Sequence, residues 1–393
     1  MKKIALVTCY FQHNYGSQLQ ALATQMICDK LGWPNETVCI DGLKPEINKA
    51  KYKYFMSRCL DINTVKDKMA TVRKVWAKKT NPTYAQNLAT RDQLFDRFAQ
   101  EKFRLTKRYD SKAELGADAS NYDAFIVGSD QLWLPSNISA DYYTLNFVPN
   151  GIGVRKIAYA TSFGISQLPP KQARMAQDFL PRLDSIMVRE DSGRKLIKQL
   201  INKDVPVVAD PTLLFSAEEW AKVLPQQRRI QEPYILCYFL GNNPSQRAWA
   251  KKLSAKTGFK IVQLPNLDEY IKSDEGFADY PLYDVDPLGF VALIRDAEYV
   301  LTDSFHCTVF STLHQKQFFT FRRYVGDGTV STNGRLYSLL AGLGLSDRML
   351  TAGENVEDCL DKKIAFDNTL SLVETMRASS INLLANAVSD EKI

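Results

Sequence analysis

Short apolar runs alternate with stretches of helical period along most of the chain. The run Ile4-Ala5-Leu6-Val7 predicts a buried strand over residues 3–8. Leu19, Leu22, Ala23, Met26 and Ile27 recur at helical spacing and predict a helix over 16–31 with one apolar face. A second short strand is expected over 37–40, ending at Asp41-Gly42. This β-α-β opening with short connections is the start of a doubly wound α/β domain. Further strands are expected at 124–127, 156–160, 185–188 and 205–209, with helices near 171–180 and from Ser192. A second α/β unit is expected from the strand 234–239, through strands at 260–264 and 299–302, with helices near 289–294 and from about Cys307. The final stretch, roughly 370–388, is an amphipathic helix.

The expected fold class is therefore α/β, with two Rossmann-like domains facing a cleft. Residues 1–228 form the first domain, 229–365 the second, and 366–393 a terminal helix. Pro225 to Pro233 reads as the linker. Residues 45–110 interrupt the first domain with a basic helical insertion. Between Pro45 and Thr80 ten Lys or Arg face three acids, while Phe55, Met56, Cys59, Ile62, Val65, Met69, Val72 and Trp76 recur at helical spacing. That segment is either a solvated helix pair on an apolar stripe or a peripheral contact with an anionic membrane.

Composition narrows the class only modestly. The 393 residues are 45% hydrophobic and 24% charged, which is globular. A net charge of +6 is too mild to argue for nucleic acid and suits a small anionic substrate or an anionic surface equally. Seven cysteines, scattered and without CxxC, argue against a disulfide or zinc framework and for a reducing compartment. The two initial lysines precede too short an apolar run for a signal peptide. No run approaches the roughly 20 apolar residues of a membrane span. The expected setting is the cytoplasm.

Candidate chemistry collects at strand ends, where open α/β sheets bind ligands. The first turn, Cys9-Tyr10-Phe11-Gln12-His13-Asn14-Tyr15-Gly16-Ser17, carries His13 and could present backbone N–H groups to an anion from Asn14, Gly16 and Ser17. His306 follows the strand 299–302, beside Asp303 and Ser304; His314, further along the helix, reads as structural. Arg189 ends the strand 185–188 and either clamps an anion or pairs with Glu190 or Asp191. Arg335 opens a later helical stretch with the same potential. Asp130 precedes Trp133, a carboxylate and an indole suited to a sugar, or else a cap and a core residue. Asp210, before Pro211, reads as a turn residue. No GxxxxGK[ST], GxGxxG, HExxH or GxSxG motif is present, so neither a metal nor a nucleotide cofactor is expected.

Several strings together resemble the polysaccharide pyruvyl transferase family: NYGSQLQALATQ at 14–25, DAFIVGSDQLW at 123–133, KIAYATSFG at 156–164, VREDSG at 188–193, VADPTLLF at 208–215 and TDSFHCTVFSTLHQKQF at 302–318. The resemblance implies a GT-B-like fold whose last helix returns to the first domain. It implies transfer of pyruvate from phosphoenolpyruvate onto two hydroxyls of one sugar, free or lipid-linked, as a cyclic ketal in exopolysaccharide or cell-wall synthesis. By the same resemblance His306 acts as general acid or phosphate contact; Asp130, a strand-end carboxylate, is the candidate to orient the acceptor. Arg189, Arg335, Ser304, Asn14, Gly16 and Ser17 are assigned to the donor, His13 and Trp133 to the acceptor. Ser304 stands where many members carry Arg, and Arg335 is the candidate to supply that charge. Two other readings are a GT-B glycosyltransferase using a nucleotide sugar and a non-catalytic glycan-binding protein.

Overall fold

The computed structural model describes residues 3–57, 74–323, 334–350 and 354–389. Two all-parallel sheets organise the chain. The first runs in the order β2-β1-β3-β4-β5, from β1 (Lys3–Val7), β2 (Asn35–Thr37), β3 (Tyr122–Val127), β4 (Arg155–Thr161) and β5 (Ser185–Val188). The second runs β11-β10-β9-β6-β7-β8, from β6 (Tyr234–Tyr238), β7 (Lys260–Gln263), β8 (Tyr280–Pro281), β9 (Tyr299–Thr302), β10 (Gln317–Phe321) and β11 (Met349–Leu350). Every described strand pair is parallel, which forces helical crossovers and burial of both sheet faces. The two Rossmann-like units give a GT-B-like α/β fold.

Each sheet has one place where the strand order reverses, between β1 and β3 in the first and between β6 and β9 in the second. Crevices at such reversals are where doubly wound sheets bind ligands. The loops leaving these strands carry Asn14–Ser17, Ser129-Asp130 and Asp303–His306.

The helix Tyr15–Lys30 lies between the two units. One apolar face was expected; instead nearly the whole helix is buried, including Ser17, Gln18, Gln20 and Thr24. Its buried amides find partners, except Gln18 Oε1. Gln18 Nε2 donates to Phe95 O at 3.1 Å, and Gln20 bridges Ser17 O and Ser129 N. Tyr15 stacks on Phe290 of the second unit at 4.6 Å between centroids and donates to Val285 O at 3.1 Å. The last helix, Phe366–Ser389, packs on the first unit. Ser380 Oγ accepts from Ala209 N at 2.9 Å, and Arg377 donates to Leu213 O and Phe215 O.

Some boundaries differ from expectation. The second strand spans Asn35–Thr37, not 37–40, because Asn35 begins pairing opposite Ile4. Residues 205–209 make only an isolated bridge, Val207 to Val188. Most of the apolar repeat between Cys59 and Val72 lies outside the described residues. Among the described residues no helix is long and apolar enough to cross a membrane.

Candidate functional site

Six strand-end and helix-start segments converge on one buried group of charges. From the first unit come Ser17, Asp130, Arg189 with Glu190, and Asp210. From the second come His306, in the first turn of the helix Phe305–Leu313, and Arg335, in the first turn of Gly334–Gly342. Local chemistry holds each segment. Asn14 caps the first helix by accepting from Ser17 N at 3.1 Å, and Ser304 caps Phe305–Leu313 by accepting from Cys307 N at 3.4 Å. Asp130 has φ of +79°, a left-handed conformation that Asp tolerates better than most residues, and this turns its carboxylate inward.

Asp210 is the hub. Its side chain is 0% exposed. Oδ2 accepts from Arg189 Nη1 at 2.9 Å and Ser129 Oγ at 3.0 Å, and stands 3.5 Å from His306 Nε2. Oδ1 accepts from Thr212 N at 3.1 Å and Thr212 Oγ1 at 2.7 Å. Asp130 is a second hub. It accepts from Ser17 Oγ at 2.8 Å and Arg189 Nη2 at 3.3 Å, with Arg335 Nη1 at 3.9 Å. Phe305 forms a floor, its ring centroid 4.5 Å from the Arg189 guanidinium carbon and 5.9 Å from that of Arg335.

The protonation states follow from this packing. Burial alone would push Asp130 up, but Arg189, His306 and Arg335 outweigh it and hold the carboxyl at about 2. Asp210 is buried too, and His306 and Arg189 hold it well below the carboxylate range. Burial opposes the charge of Arg189, yet Asp130 and Asp210 keep it raised. Glu190 goes up, because burial outweighs Arg189. Arg335 is pushed down to about 10 by burial and by the like charge of Arg189. Arg189 Nε, Arg335 Nε and His306 Nε2 are all buried without a hydrogen-bond partner. Two guanidinium donors on one cluster, Arg189 Nε and Arg335 Nε, therefore lack a hydrogen-bond acceptor.

Placement reshapes the roles expected from sequence. Arg189 is not an uncommitted anion clamp, since Nη1 and Nη2 are already spent on Asp210 and Asp130. Arg335 is less committed. Gly16 lies against His306, and a Cβ there would meet the imidazole Nδ1 at 2.0 Å. Ser304 and Asn14 are occupied as caps. Trp133 does not offer a face to a sugar: it is 0% exposed, packs on Phe163 and Phe179, and donates Nε1 to Tyr143 O at 3.0 Å. His13 stands apart from the cluster, both ring nitrogens taken by Asp92 at 2.9 Å and Asp96 at 2.8 Å. His314 is half-buried, and burial of its ring with the nearby Arg295 and Lys316 holds it down at about 4. Among the described residues no group of three or more His, Cys, Asp or Glu is placed to hold a metal ion.

The sequence reading undervalued Asp210, which the Asp-Pro turn signal disguised. Its position at the end of the 205–209 segment was the available clue. Arg323 was missed altogether: its Nη2 donates to Asp303 O at 3.1 Å, and its charge reaches Arg335.

A family model described as polysaccharide pyruvyl transferase matches residues 14–323. No curated protein matches the chain in sequence. Among solved structures, a UDP-GlcNAc 2-epimerase from Neisseria meningitidis bound to UDP-GlcNAc is 13% identical, covering 99% of this chain and 98% of that one at a TM-score of 0.48. The UDP-GlcNAc 2-epimerase from Methanocaldococcus jannaschii is 10% identical, with 97% and 99% covered at 0.48. The E. coli heptosyltransferase WaaC with ADP is 13% identical, with 84% and 90% covered at 0.38. Likeness at this level says nothing of what this chain acts on.

Proposed function

This chain belongs to the polysaccharide pyruvyl transferase family, and we propose that it moves pyruvate from phosphoenolpyruvate onto two hydroxyls of one saccharide, closing a cyclic ketal and releasing phosphate. Arg335 carries this reading within the site. It is a nine-tenths-buried cation whose nearest carboxylate oxygen in the cluster is 3.9 Å away and whose Nε lacks an acceptor. A donor bearing a carboxylate and a phosphate supplies the missing acceptors.

In this reading Arg335 meets the donor, with Arg189 Nε, which makes no hydrogen bond and stands 3.9 Å from Glu190 Oε2, beside it. Arg189 chiefly positions the two aspartates. Asp210 orients His306, which gives a proton to the methylene carbon of the enol and makes it a methyl. The adjacent carbon becomes electrophilic and takes the first hydroxyl, whose proton passes to Asp130. Phosphate departs with the proton held by Asp130 and regenerates the electrophilic carbon, and the second hydroxyl closes the ring as its proton returns to His306. The buried cations stabilise the negative charge that grows on the leaving phosphate.

The test is incubation with phosphoenolpyruvate and a panel of saccharides, read by phosphate release and by proton NMR. The expected product shows a methyl singlet attached to a saccharide ketal. Consumption of a nucleotide sugar with no use of phosphoenolpyruvate would establish the glycosyltransferase reading instead.

A peripheral membrane contact through the 45–80 region is also part of the proposal. Tyr52, Phe55, Met56, Val75 and Trp76 are exposed there, beside exposed Lys49, Lys53, Lys78 and Lys79. Salt-sensitive co-sedimentation with anionic vesicles is the expected result; equal recovery with neutral vesicles refutes it.

A further inference from the structure

A separate cavity of about 170 Å³ opens between the two units, away from the charged cluster. The helix Pro82–Lys102 and its cap form one wall, and residues 265–283 form the other. Three tyrosines, Tyr84, Tyr270 and Tyr283, line it with Asn87, Asp274 and Glu275. Tyr84 and Tyr270 meet edge to face at 5.5 Å. The carboxylates are held in place, Asp274 by Arg247 Nε at 2.6 Å and Glu275 by the Tyr270 hydroxyl at 2.5 Å.

The chemistry of this lining selects a ligand class. None of the described lining residues is cationic and two are acidic, one of them compensated by Arg247, so the lining offers a phosphate, a nucleotide or phosphoenolpyruvate no countercharge. Aromatic rings offer apolar faces to the C–H side of a sugar ring. The carboxylates accept from hydroxyls, and an amide such as Asn87 can both donate and accept. The volume is small beside the roughly 300–1,000 Å³ of drug-sized pockets and suits one ring. The cavity also adjoins the segment that leads into the charged cluster. Pro265, Asn266 and Leu267 line both it and a narrow cleft that reaches Asn14 and Tyr15, next in the chain to Gly16 and Ser17.

We propose that this cavity is an acceptor subsite, holding a neutral sugar ring next along the saccharide from the ring that is ketalised. The inference rests on the transferase reading for the word acceptor, but its binding chemistry is independent of the donor. Because its walls come from both units, a bound ring ties them together.

Saturation-transfer NMR on the full chain without phosphoenolpyruvate tests it, with lactose, cellobiose, maltose and N,N′-diacetylchitobiose as probes. At least one probe is expected to bind, and Asn87→Ala and Glu275→Gln each weaken it fivefold or more. Asn87 lies partly exposed on a helix where Ala is well tolerated, so that variant folds even if Glu275→Gln does not. No response from any probe, or binding unchanged in Asn87→Ala, overturns the proposal. Phosphoenolpyruvate binding measured separately distinguishes the two ideas. Sugar binding without donor binding keeps the subsite and sinks the transferase reading; donor binding without sugar binding does the reverse.

Discussion

Gly16→Ala tests the joint between the two units with a single methyl group. Gly16 belongs to the first helix and His306 to the second unit. A Cβ at Gly16 would lie 2.0 Å from Nδ1, 2.5 Å from Cγ and 2.8 Å from Cε1 of the imidazole. Ordinary contact begins at 3.4 Å, so the ring must retreat by 3.4 less 2.0, or 1.4 Å, or the units must part. Retreat is resisted by Phe305, edge to face at 5.2 Å, and takes the ring from its place 3.5 Å from Asp210. In an unobstructed helix interior Gly→Ala would stabilise by about 1 kcal/mol. Overpacking a buried contact costs about 1–3 kcal/mol. The net expectation is a variant between unchanged and about 2 kcal/mol less stable by urea unfolding. Its phosphoenolpyruvate affinity should fall at least about tenfold, as expected when a binding group is displaced by more than 1 Å. A variant about 1 kcal/mol more stable than wild type, with donor affinity intact, would show that His306 does not sit against this helix, and the closed cluster would be refuted.

Other consequences can be measured in the same way. Asp210→Asn removes the closest of the carboxylates that hold the Arg189 guanidinium, leaving Asp130, and should cost up to about 3–5 kcal/mol in urea unfolding, the range for breaking a buried ion pair; a loss below about 1 kcal/mol would remove Asp210 as hub. Asp130 has a folded value near 2 against about 3.9 unfolded, so its contribution of about 2 kcal/mol is present above pH 4 and lost as pH falls through 2; Asp130→Asn should flatten that part of the acid-unfolding profile. His13 is raised chiefly by Asp92, against the opposing effect of its burial, so its contribution is full below about pH 6.5 and lost as pH rises through its folded value; an imidazole NMR titration at or below the ordinary value would contradict the pairing. Trp133→Ala should destabilise by about 3–5 kcal/mol as a core truncation, whereas a loss of sugar affinity at unchanged stability would restore the stacking role.

Much of the architecture was legible in the sequence because parallel strands buried on both faces read as apolar runs. Residues 185–188 and 299–302 came out at their observed bounds, and the strand-end rule pointed to Arg189, Asp130 and His306. Segments whose pairing depends on neighbours were not legible. Asn35 starts a strand although it is polar, because Ile4 fixes its register. Gln317–Phe321 was missed, its apolar run standing directly after a helix with only a short turn between. The site was legible only in part, through Arg189, Asp130, His306 and Arg335: Asp210 read as a turn residue, Arg323 was missed, and Trp133 and His13 lie outside the cluster. Spacing could not show that Arg189 spends two nitrogens on Asp130 and Asp210, leaving Arg335 as the less committed cation. Nor could it show that Trp133 faces inward while Asp130, three residues earlier, faces the cluster. That depends on the left-handed turn at Asp130 and on packing against Phe163 and Phe179.

The most direct test of the central claim is calorimetric titration of phosphoenolpyruvate into wild type, Arg335→Gln and His306→Gln at low salt. The account predicts binding to wild type, at least tenfold weakened in Arg335→Gln and weakened in His306→Gln, with both variants folded. Wild-type affinity in Arg335→Gln, or no binding to wild type with and without a saccharide that fits the subsite, would contradict it.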